Sequence, residues 1–116
     1  MSAGKTTAAD PARVAPVFSA LGDATRLALV ARLCAGGPLS IARLTDGFEV
    51  TRQAITKHLD VLARAGLVSG ARRGRERIWT LEPTHLARAK GYLEEISLQW
   101  DRALERLRQF SEGSRP

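Results

Sequence analysis

The chain has 116 residues, and its 18 Lys and Arg residues outnumber its 12 Asp and Glu residues, so its formal net charge is +6. This length fits one domain, and a hydrophobic content of 44% excludes a largely disordered chain. One cysteine cannot form an intramolecular disulfide, no apolar run is long enough to span a bilayer, and residues 1–9 resemble a flexible tail rather than a secretory signal. We therefore expect a cytoplasmic protein with no membrane partner.

Two helices are predicted directly after this tail. Asp10 followed by Pro11 is typical of a helix start, since the carboxylate can cap the helix and proline suits its first turn. Gly22 ends this helix, Asp23 caps the second, and the Gly-Gly-Pro sequence at 36–38 ends the second. Apolar spacing predicts the inward residues as Val14, Val17, Phe18 and Leu21, then Leu27, Val30, Ala31, Leu33 and Cys34.

Two further helices are predicted in the next thirty or so residues. Ser40 caps a short helix with Ile41 and Leu44 facing inward, which ends near Gly47. A fourth helix runs over about residues 51–64. Its apolar stripe, continued just past the helix end, predicts four buried residues, which are Ile55, Leu59, Leu62 and Leu67.

The pattern changes to that of β-strands after Gly66. Short apolar runs at 67–68 and 78–81 lie on either side of an Arg-rich segment, residues 72–77. Gly74 at the centre of this segment favours a two-stranded hairpin with a basic tip.

A last, long helix is predicted from Pro83 to about Phe110. Eight of its residues fall on the two seam positions of a heptad repeat and all eight are apolar, namely Leu86, Ala89, Leu93, Ile96, Trp100, Ala103, Leu107 and Phe110. This pattern predicts packing against another helix. The fold class is therefore mainly α with a small β-hairpin, in one domain over residues 10–112.

The excess positive charge is concentrated in residues 51–77. This segment holds seven basic and two acidic residues, a net charge of +5, whereas the other 89 residues hold 11 basic and 10 acidic residues. Clustered positive charge is typical of a surface that binds a polyanion. The alternative is a basic face that only contacts solvent.

The order of elements matches a winged helix-turn-helix, in which the fourth helix would read DNA. On that helix, five polar residues fall opposite the apolar stripe, namely Arg52, Gln53, Thr56, Lys57 and Asp60. Most of them lie in the N-terminal half, the end that enters the major groove in such proteins. Arg pairs with guanine, Gln pairs with adenine, and Thr or Lys reaches phosphates or bases. An ordinary amphipathic surface helix is the alternative, and the Arg-rich hairpin that follows weakens it.

At the level of whole motifs, the chain resembles the ArsR/SmtB family of winged-helix repressors over about residues 13–110. The matching segments are Phe18-Ser-Ala-Leu-Gly-Asp-Ala-Thr-Arg-Leu27, Leu39-Ser-Ile-Ala-Arg-Leu44, Val50-Thr-Arg-Gln-Ala-Ile-Thr-Lys-His-Leu59, Val61-Leu-Ala-Arg-Ala-Gly-Leu-Val68, and Arg73-Gly-Arg75 with Trp79 to Leu81. The resemblance implies a homodimeric repressor that binds a two-fold symmetric operator in double-stranded DNA and releases it on a signal.

The site residues expected for such a repressor form two groups. The expected DNA contacts come from the third and fourth helices and the wing, and they are Ser40, Thr51, Arg52, Gln53, Thr56, Lys57, His58, Arg73, Arg75 and Arg77. The expected dimer interface uses the N- and C-terminal helices, with Val17, Phe18, Leu86, Leu93, Ile96, Trp100, Leu104 and Leu107.

The chain departs from the metal-sensing members of this family. Ser40 and Ala42 stand where those members carry a Cys-x-Cys pair in the third helix, and His85 lacks a second histidine near Ile96 and Ser97 in the last helix. Neither a soft-metal site nor a zinc site is expected from these residues. The resemblance is thus to the branch without metal motifs, with no cofactor, and with a small organic inducer, a partner protein or dosage as the signal.

Three other interpretations remain open from the sequence. One is a thiol-, metal- or small-molecule-responsive sensor of the same family with an unrecognised ligand site; Cys34 is expected to be buried, and Tyr92 and Trp100 could line a pocket or fill the dimer seam. An enzyme is not expected, because Cys34, His58 and His85 form no recognisable catalytic arrangement. A non-specific architectural protein is disfavoured by the adjacent Arg52 and Gln53.

Overall fold

The computed structural model describes residues 10–113 as five helices and one small sheet. In chain order the elements are α1 (Pro11–Leu21), α2 (Ala24–Gly36), β1 (Leu39–Ser40), α3 (Ile41–Thr45), α4 (Arg52–Arg64), β2 (Val68–Arg73), β3 (Glu76–Leu81) and α5 (Pro83–Gly113). This order confirms the mainly α winged helix-turn-helix fold. The predicted tail over residues 1–9 lies outside the described residues.

The helix starts are fixed by the side chains that the sequence predicted as caps. The Asp10 carboxylate accepts a hydrogen bond from the backbone N–H of Ala12 at 3.0 Å, and the Asp23 carboxylate accepts one from Arg26 N–H at 3.0 Å. Each bond satisfies a backbone donor that has no partner inside the first turn of the helix. The starts of α1 and α2 follow directly from these two acids.

The sheet has three antiparallel strands in the order β1-β3-β2, one strand more than the predicted hairpin. The added strand β1 has only two residues and pairs Leu39 with Trp79. Strands β2 and β3 also extend through the arginine-rich segment, so that only Gly74 and Arg75 form the turn. Ladder hydrogen bonds continue wherever two backbones stay paired, and exposed side chains do not interrupt them.

The core joins the inner faces of α1, α2, α3 and α4 to the base of the sheet. Its members are Val17, Ala20, Leu29, Leu33, Leu44, Ile55, Leu59, Leu62, Leu67, Val68, Trp79 and Ala89. One prediction was wrong here: α2 buries Leu29 and Leu33, whereas Leu27, Ala31 and Cys34 are exposed. Helix α2 carries apolar residues around most of its circumference, so periodicity alone did not fix the face it buries.

Helix α5 gives the protomer an elongated shape. Its 31 residues span about 46 Å at 1.5 Å per residue, and only its first turns pack on the core, through Leu86 and Ala89. The radius of gyration is 19.2 Å, compared with about 13 Å for a compact chain of this length. Among the described helices none is long and apolar enough by itself to cross a membrane, and α1 with α2 meets those conditions only as a pair bent by 96°.

Candidate nucleic-acid interface

Helix α4 presents a polar face outward because its opposite face is anchored in the core. Ile55, Leu59 and Leu62 are completely buried, and together they hold α4 against its neighbours. Four exposed or partly exposed side chains occupy the first two turns, namely Arg52, Gln53, Thr56 and Lys57. The predicted reading face therefore exists as a surface with a rigid support.

Arg32 of α2 holds the C-terminal end of α3 and the turn that follows it. Its Nη1 donates hydrogen bonds to the backbone carbonyls of Leu44, at 2.9 Å, and Asp46, which lie at the C-terminal end of α3. The same guanidinium lies over the ring of Phe48 at 4.4 Å from its centroid. A cation at a helix C-terminus satisfies carbonyls that have no partner in the helix. Arg32 thus positions the turn that leads into α4.

A groove of about 440 Å³ runs along the outer side of the α3–α4 pair. Ile41 of α3 and four residues of α4 line it, namely Arg52, Gln53, Thr56 and Lys57. Four of the predicted DNA contacts therefore converge on one depression at the N-terminal end of α4. The N-terminus of a helix also carries a partial positive charge and free N–H groups, which favour phosphate.

The hairpin of β2 and β3 places four arginines at its outer end. Arg72 and Arg77 are directly opposite across the two strands, an arrangement of like charges that is destabilising unless an anion approaches. Gly74 occupies the turn with φ of 64°, a conformation that glycine adopts without steric cost. Arg73 and Arg75 on either side of Gly74 are exposed.

Arg77 is held in place by stacking. Its guanidinium lies 4.9 Å from the centroid of the Trp79 ring, within the range of a cation–π contact. The partner strand leaves room for this contact because Gly70 has no side chain; a Cβ there would lie 2.7 Å from Nε of Arg77. Part of the Arg77 side chain is therefore used within the wing.

The remaining basic side chains of the surface are available to a ligand. Between residues 10 and 113 the contacts of opposite charge within 4 Å are Glu105 with Arg108 and, when its ring is protonated, His58 with Asp23, neither of which involves the hairpin tip or the exposed face of α4. Within the same range no side chain forms a hydrogen bond to the side chains of Arg52, Lys57, Arg73 or Arg75. These four side chains have no ion-pair partner within 4 Å, although Glu76 lies opposite Arg73 on the paired strand, and such a surface favours a polyanionic partner.

Two of the predicted DNA contacts also make contacts within the fold. Ser40 is buried, and its hydroxyl accepts a hydrogen bond from Arg43 N–H at 3.3 Å, which caps α3. His58 turns away from the reading face, with Nδ1 3.2 Å from Nη1 of Arg26 and 3.8 Å from the Asp23 carboxylate. Helical spacing had placed His58 near the exposed face but could not reveal its partners on α2.

The Asp23 cluster ties α4 to the corner between α1 and α2. Arg26 donates from Nε to the carbonyl of Ala20 at 2.6 Å, at the end of α1. The backbone N–H of Arg26 holds the pKa of Asp23 below its ordinary value, and the charges of His58 and Arg26 act in the same direction.

Thr51, a further predicted DNA contact, is exposed, and its hydroxyl accepts a hydrogen bond from the backbone N–H of Ala54 at 3.0 Å.

The predicted dimer residues divide into exposed and internal ones. Leu93, Trp100, Leu104 and Leu107 are exposed, and Trp100 is 64% accessible. The others are Ile96, which is half-buried, Leu86 and Phe18, which pack on the core, and Val17, which belongs to the core of the protomer itself. The Phe18 ring also contacts Tyr92 at a centroid distance of 6.0 Å, so Tyr92 joins α1 to α5.

Sequence reasoning missed three residues that shape the interface. Ile41 was assigned to the core but also forms a wall of the groove. Arg26 and Arg32 received no role from the sequence, and each bonds to a backbone carbonyl of another segment. Nothing in helical spacing identifies such long-range caps. Among residues 10–113, no group of three or more His, Cys, Asp or Glu side chains is arranged to hold a metal ion.

Comparisons with known proteins agree with this geometry. A helix-turn-helix domain model matches residues 21–70. The HTH-type transcriptional regulator Rv2034 of Mycobacterium tuberculosis is 41% identical over 87 residues, covering 75% of this chain and 78% of the relative. An ArsR-like transcriptional regulator from Rhodococcus sp. RHA1 is 36% identical, with a TM-score of 0.68 over 85% of this chain and 92% of that structure.

A second solved structure, an ArsR family transcriptional regulator, has a TM-score of 0.70 at 27% identity, covering 78% of this chain and 93% of that one. These relatives are transcriptional regulators, which confirms that the chain is not an enzyme. The exposed polar face of α4, the basic hairpin and these similarities lead to one conclusion. The chain belongs to the ArsR family of DNA-binding winged helix-turn-helix transcriptional regulators.

Proposed function

We propose that the protein represses transcription as a homodimer bound to a two-fold symmetric operator, with α4 in the major groove and the hairpin on the DNA backbone or in a minor groove. The observation that carries this proposal is the convergence of Arg52, Gln53, Thr56 and Lys57 on one exposed face of a helix whose other face is buried. Neither Arg52 nor Lys57 has an ion-pair partner among residues 10–113, which supports it.

The side chains on this face suit the reading of bases as well as phosphate contact. Arg52 can donate two hydrogen bonds to guanine, and Gln53 can both donate to and accept from adenine. Both lie in the first turn of α4, the end that a winged helix-turn-helix inserts deepest. Lys57, one turn further along, reaches either phosphates or bases.

The hairpin supplies the second contact. Arg72 and Arg77 are cross-strand neighbours of like charge, and a phosphate bound by Arg72 would offset this charge while the Arg77 guanidinium stays on Trp79. Arg73 and Arg75 extend the basic surface to the tip. These groups are donors without a base-specific arrangement, which favours contact with the DNA backbone.

The apolar face of α5 supports the homodimer. Leu93, Leu104 and Leu107 are each about half exposed or more, and the helix extends beyond the body of the protomer. A contiguous apolar surface of this kind is typical of a protein–protein interface. Pairing through α5 would place two copies of α4 about 34 Å apart, or a multiple of that distance, which is the spacing of half-sites on one face of DNA.

Selection of bound DNA from a random pool tests this function. The expected result is enrichment of an inverted repeat, bound by two protomers and much more tightly than random DNA at the same salt concentration. Equal binding of all sequences would support an architectural protein instead. Enrichment of a single half-site by one protomer would contradict the homodimer while keeping the reading helix. The cytoplasmic location stays a prediction.

A further inference from the structure

The groove beside α4 has walls that suit an apolar group, although it lies on a basic surface. Ile41 contributes an aliphatic side chain from α3, and Arg52, Gln53 and Lys57 border the groove largely with the carbon atoms of their side chains. An apolar depression surrounded by hydrogen-bond donors can distinguish ligands by their shape as well as by their charge. Binding of a phosphate alone would not use these apolar walls.

The orientation of the Thr56 side chain determines whether its hydroxyl or its methyl group faces the groove. Its hydroxyl donates to the backbone carbonyl of Arg52 at 2.9 Å, so its one donor is already used within α4. Thr56 is exposed and lines the groove beside Ile41. With the hydroxyl directed to the helix backbone, its γ-methyl group is the part left to contact a ligand.

We propose that this groove receives the 5-methyl group of a thymine in each operator half-site, with Ile41 and the Thr56 methyl as its contacts. This inference rests on the proposed insertion of α4 into the major groove. Thymine presents there an O4 acceptor next to its methyl group, whereas cytosine presents an amino donor and no methyl. Gln53 or Lys57 beside the groove can donate to O4. Contact with the methyl group would therefore distinguish thymine from cytosine at a base pair that Arg52 does not read by hydrogen bonds.

Replacement of each thymine of the selected operator by deoxyuridine tests the proposal, because uracil differs from thymine only by the missing methyl. Native protein is expected to lose about fourfold in affinity at one thymine per half-site, the amount expected for one buried methyl group, and to be indifferent to the replacement elsewhere. Equal affinity for every deoxyuridine operator would overturn the proposal.

Two variants of Thr56 separate its methyl from its hydroxyl. Thr56→Ser keeps the hydroxyl and removes the methyl, so it should bind the thymine operator more weakly, by at most about fourfold, and should distinguish deoxyuridine less than native protein does, because only Ile41 then contacts the thymine methyl. Thr56→Val keeps a methyl and removes the hydroxyl, so it should retain the distinction. The reverse pattern would identify the hydroxyl as the contact and contradict the proposal.

The same experiment distinguishes failure of this inference from failure of the proposed function. If no sequence is enriched from the random pool, the protein does not read DNA and the proposed function fails with the inference. If an operator is enriched and Arg52→Ala weakens its binding, but no thymine methyl matters, then only the inference fails. Thermal unfolding of both Thr56 variants serves as a folding control, and unchanged midpoints are expected because Thr56 is exposed.

Discussion

Helices α4 and α5 are both amphipathic, but only α4 has its apolar face covered within a single chain. Its apolar residues are fully buried and its exposed residues are polar. In α5 the apolar stripe leaves the core after Ala89 and continues in the open to Phe110, which is 76% exposed. The polar face of α4 is therefore organised by the folding of one chain, whereas most of the apolar stripe of α5 is left uncovered by the described residues.

Energetics support this distinction. Burial of one large apolar side chain contributes about 1.5–3 kcal/mol, so a stripe of several such residues represents a large unused driving force. In α4 the corresponding contribution is already made within the chain by Ile55, Leu59 and Leu62. Substitutions in α4 should therefore act on DNA affinity, and substitutions in α5 should act first on association.

The largest effect is expected from Leu93→Glu combined with Trp100→Glu. Two charges in the apolar seam would have to be desolvated on pairing, so the dimer should dissociate. Binding of the second half-site then loses its intramolecular advantage, and affinity for the full operator should fall by about 10²–10⁴-fold. Sedimentation and operator titration on the same sample measure both changes.

Arg102→Glu provides a matched control for this double variant. It changes the net charge by the same amount on the polar side of α5, so it should remain dimeric and bind the operator with nearly native affinity. A folded monomeric double variant with native operator affinity would contradict the role given to α5.

The next effect concerns the reading face. Arg52→Ala or Gln53→Ala should lower operator affinity by about 1–3 kcal/mol and relax specificity at particular base pairs, while the dimer stays intact. Arg64→Ala removes the same charge as Arg52→Ala from the last turn of α4 and should have a smaller effect. Titrations against operator and random DNA test this, and unchanged affinities for both would remove α4 as the reader.

A smaller and sequence-independent effect is expected from the hairpin. Arg73→Ala and Arg75→Ala should weaken binding to all DNA sequences similarly and make the slope of log affinity against log salt shallower by about one for each phosphate that the variant no longer neutralises. Arg13→Ala, an exposed charge on α1, is the control and should leave the slope unchanged. Weaker binding to one operator sequence alone would make the hairpin a base reader.

The smallest effect concerns the acid that links α4 to α1 and α2. Because the pKa of Asp23 is lower in the folded chain, its carboxylate stabilises the fold above about pH 4 and this contribution disappears as the pH falls through the lowered pKa. Asp23→Asn should therefore lower the unfolding temperature slightly at about pH 7, and the difference from native protein should shrink at about pH 3. Asp101→Asn, on the exposed side of α5, is the control.

Local signals in the sequence were sufficient for much of the fold. Asp10 and Asp23 cap their helices as predicted, and the spacing of Ile55, Leu59 and Leu62 identified the buried face of α4. These features depend on residues within one or two turns of each other. The same holds for the exposed position of Gln53, which follows from the face opposite the stripe.

Features that depend on distant partners were not predicted. Helix α2 buries Leu29 in place of Leu27, because its neighbours and not its own periodicity select the face. His58 carries a polar ring suited to DNA, but its contact with Arg26 of another helix does not follow from the spacing within α4. Strand β1 has two residues and no pattern of its own, so only the pairing with β3 creates it.

The two tryptophans of the chain give each surface its own optical reporter. Trp79 is buried beneath the guanidinium of Arg77, so its fluorescence should respond when an anion draws that cation away. Trp100 is mostly in water on the open stripe of α5, and its emission should move to shorter wavelength when a second protomer covers it. Replacement of either tryptophan by phenylalanine would leave only the fluorescence of the other tryptophan. The order of dimer assembly and DNA binding could then be followed in time without an added dye.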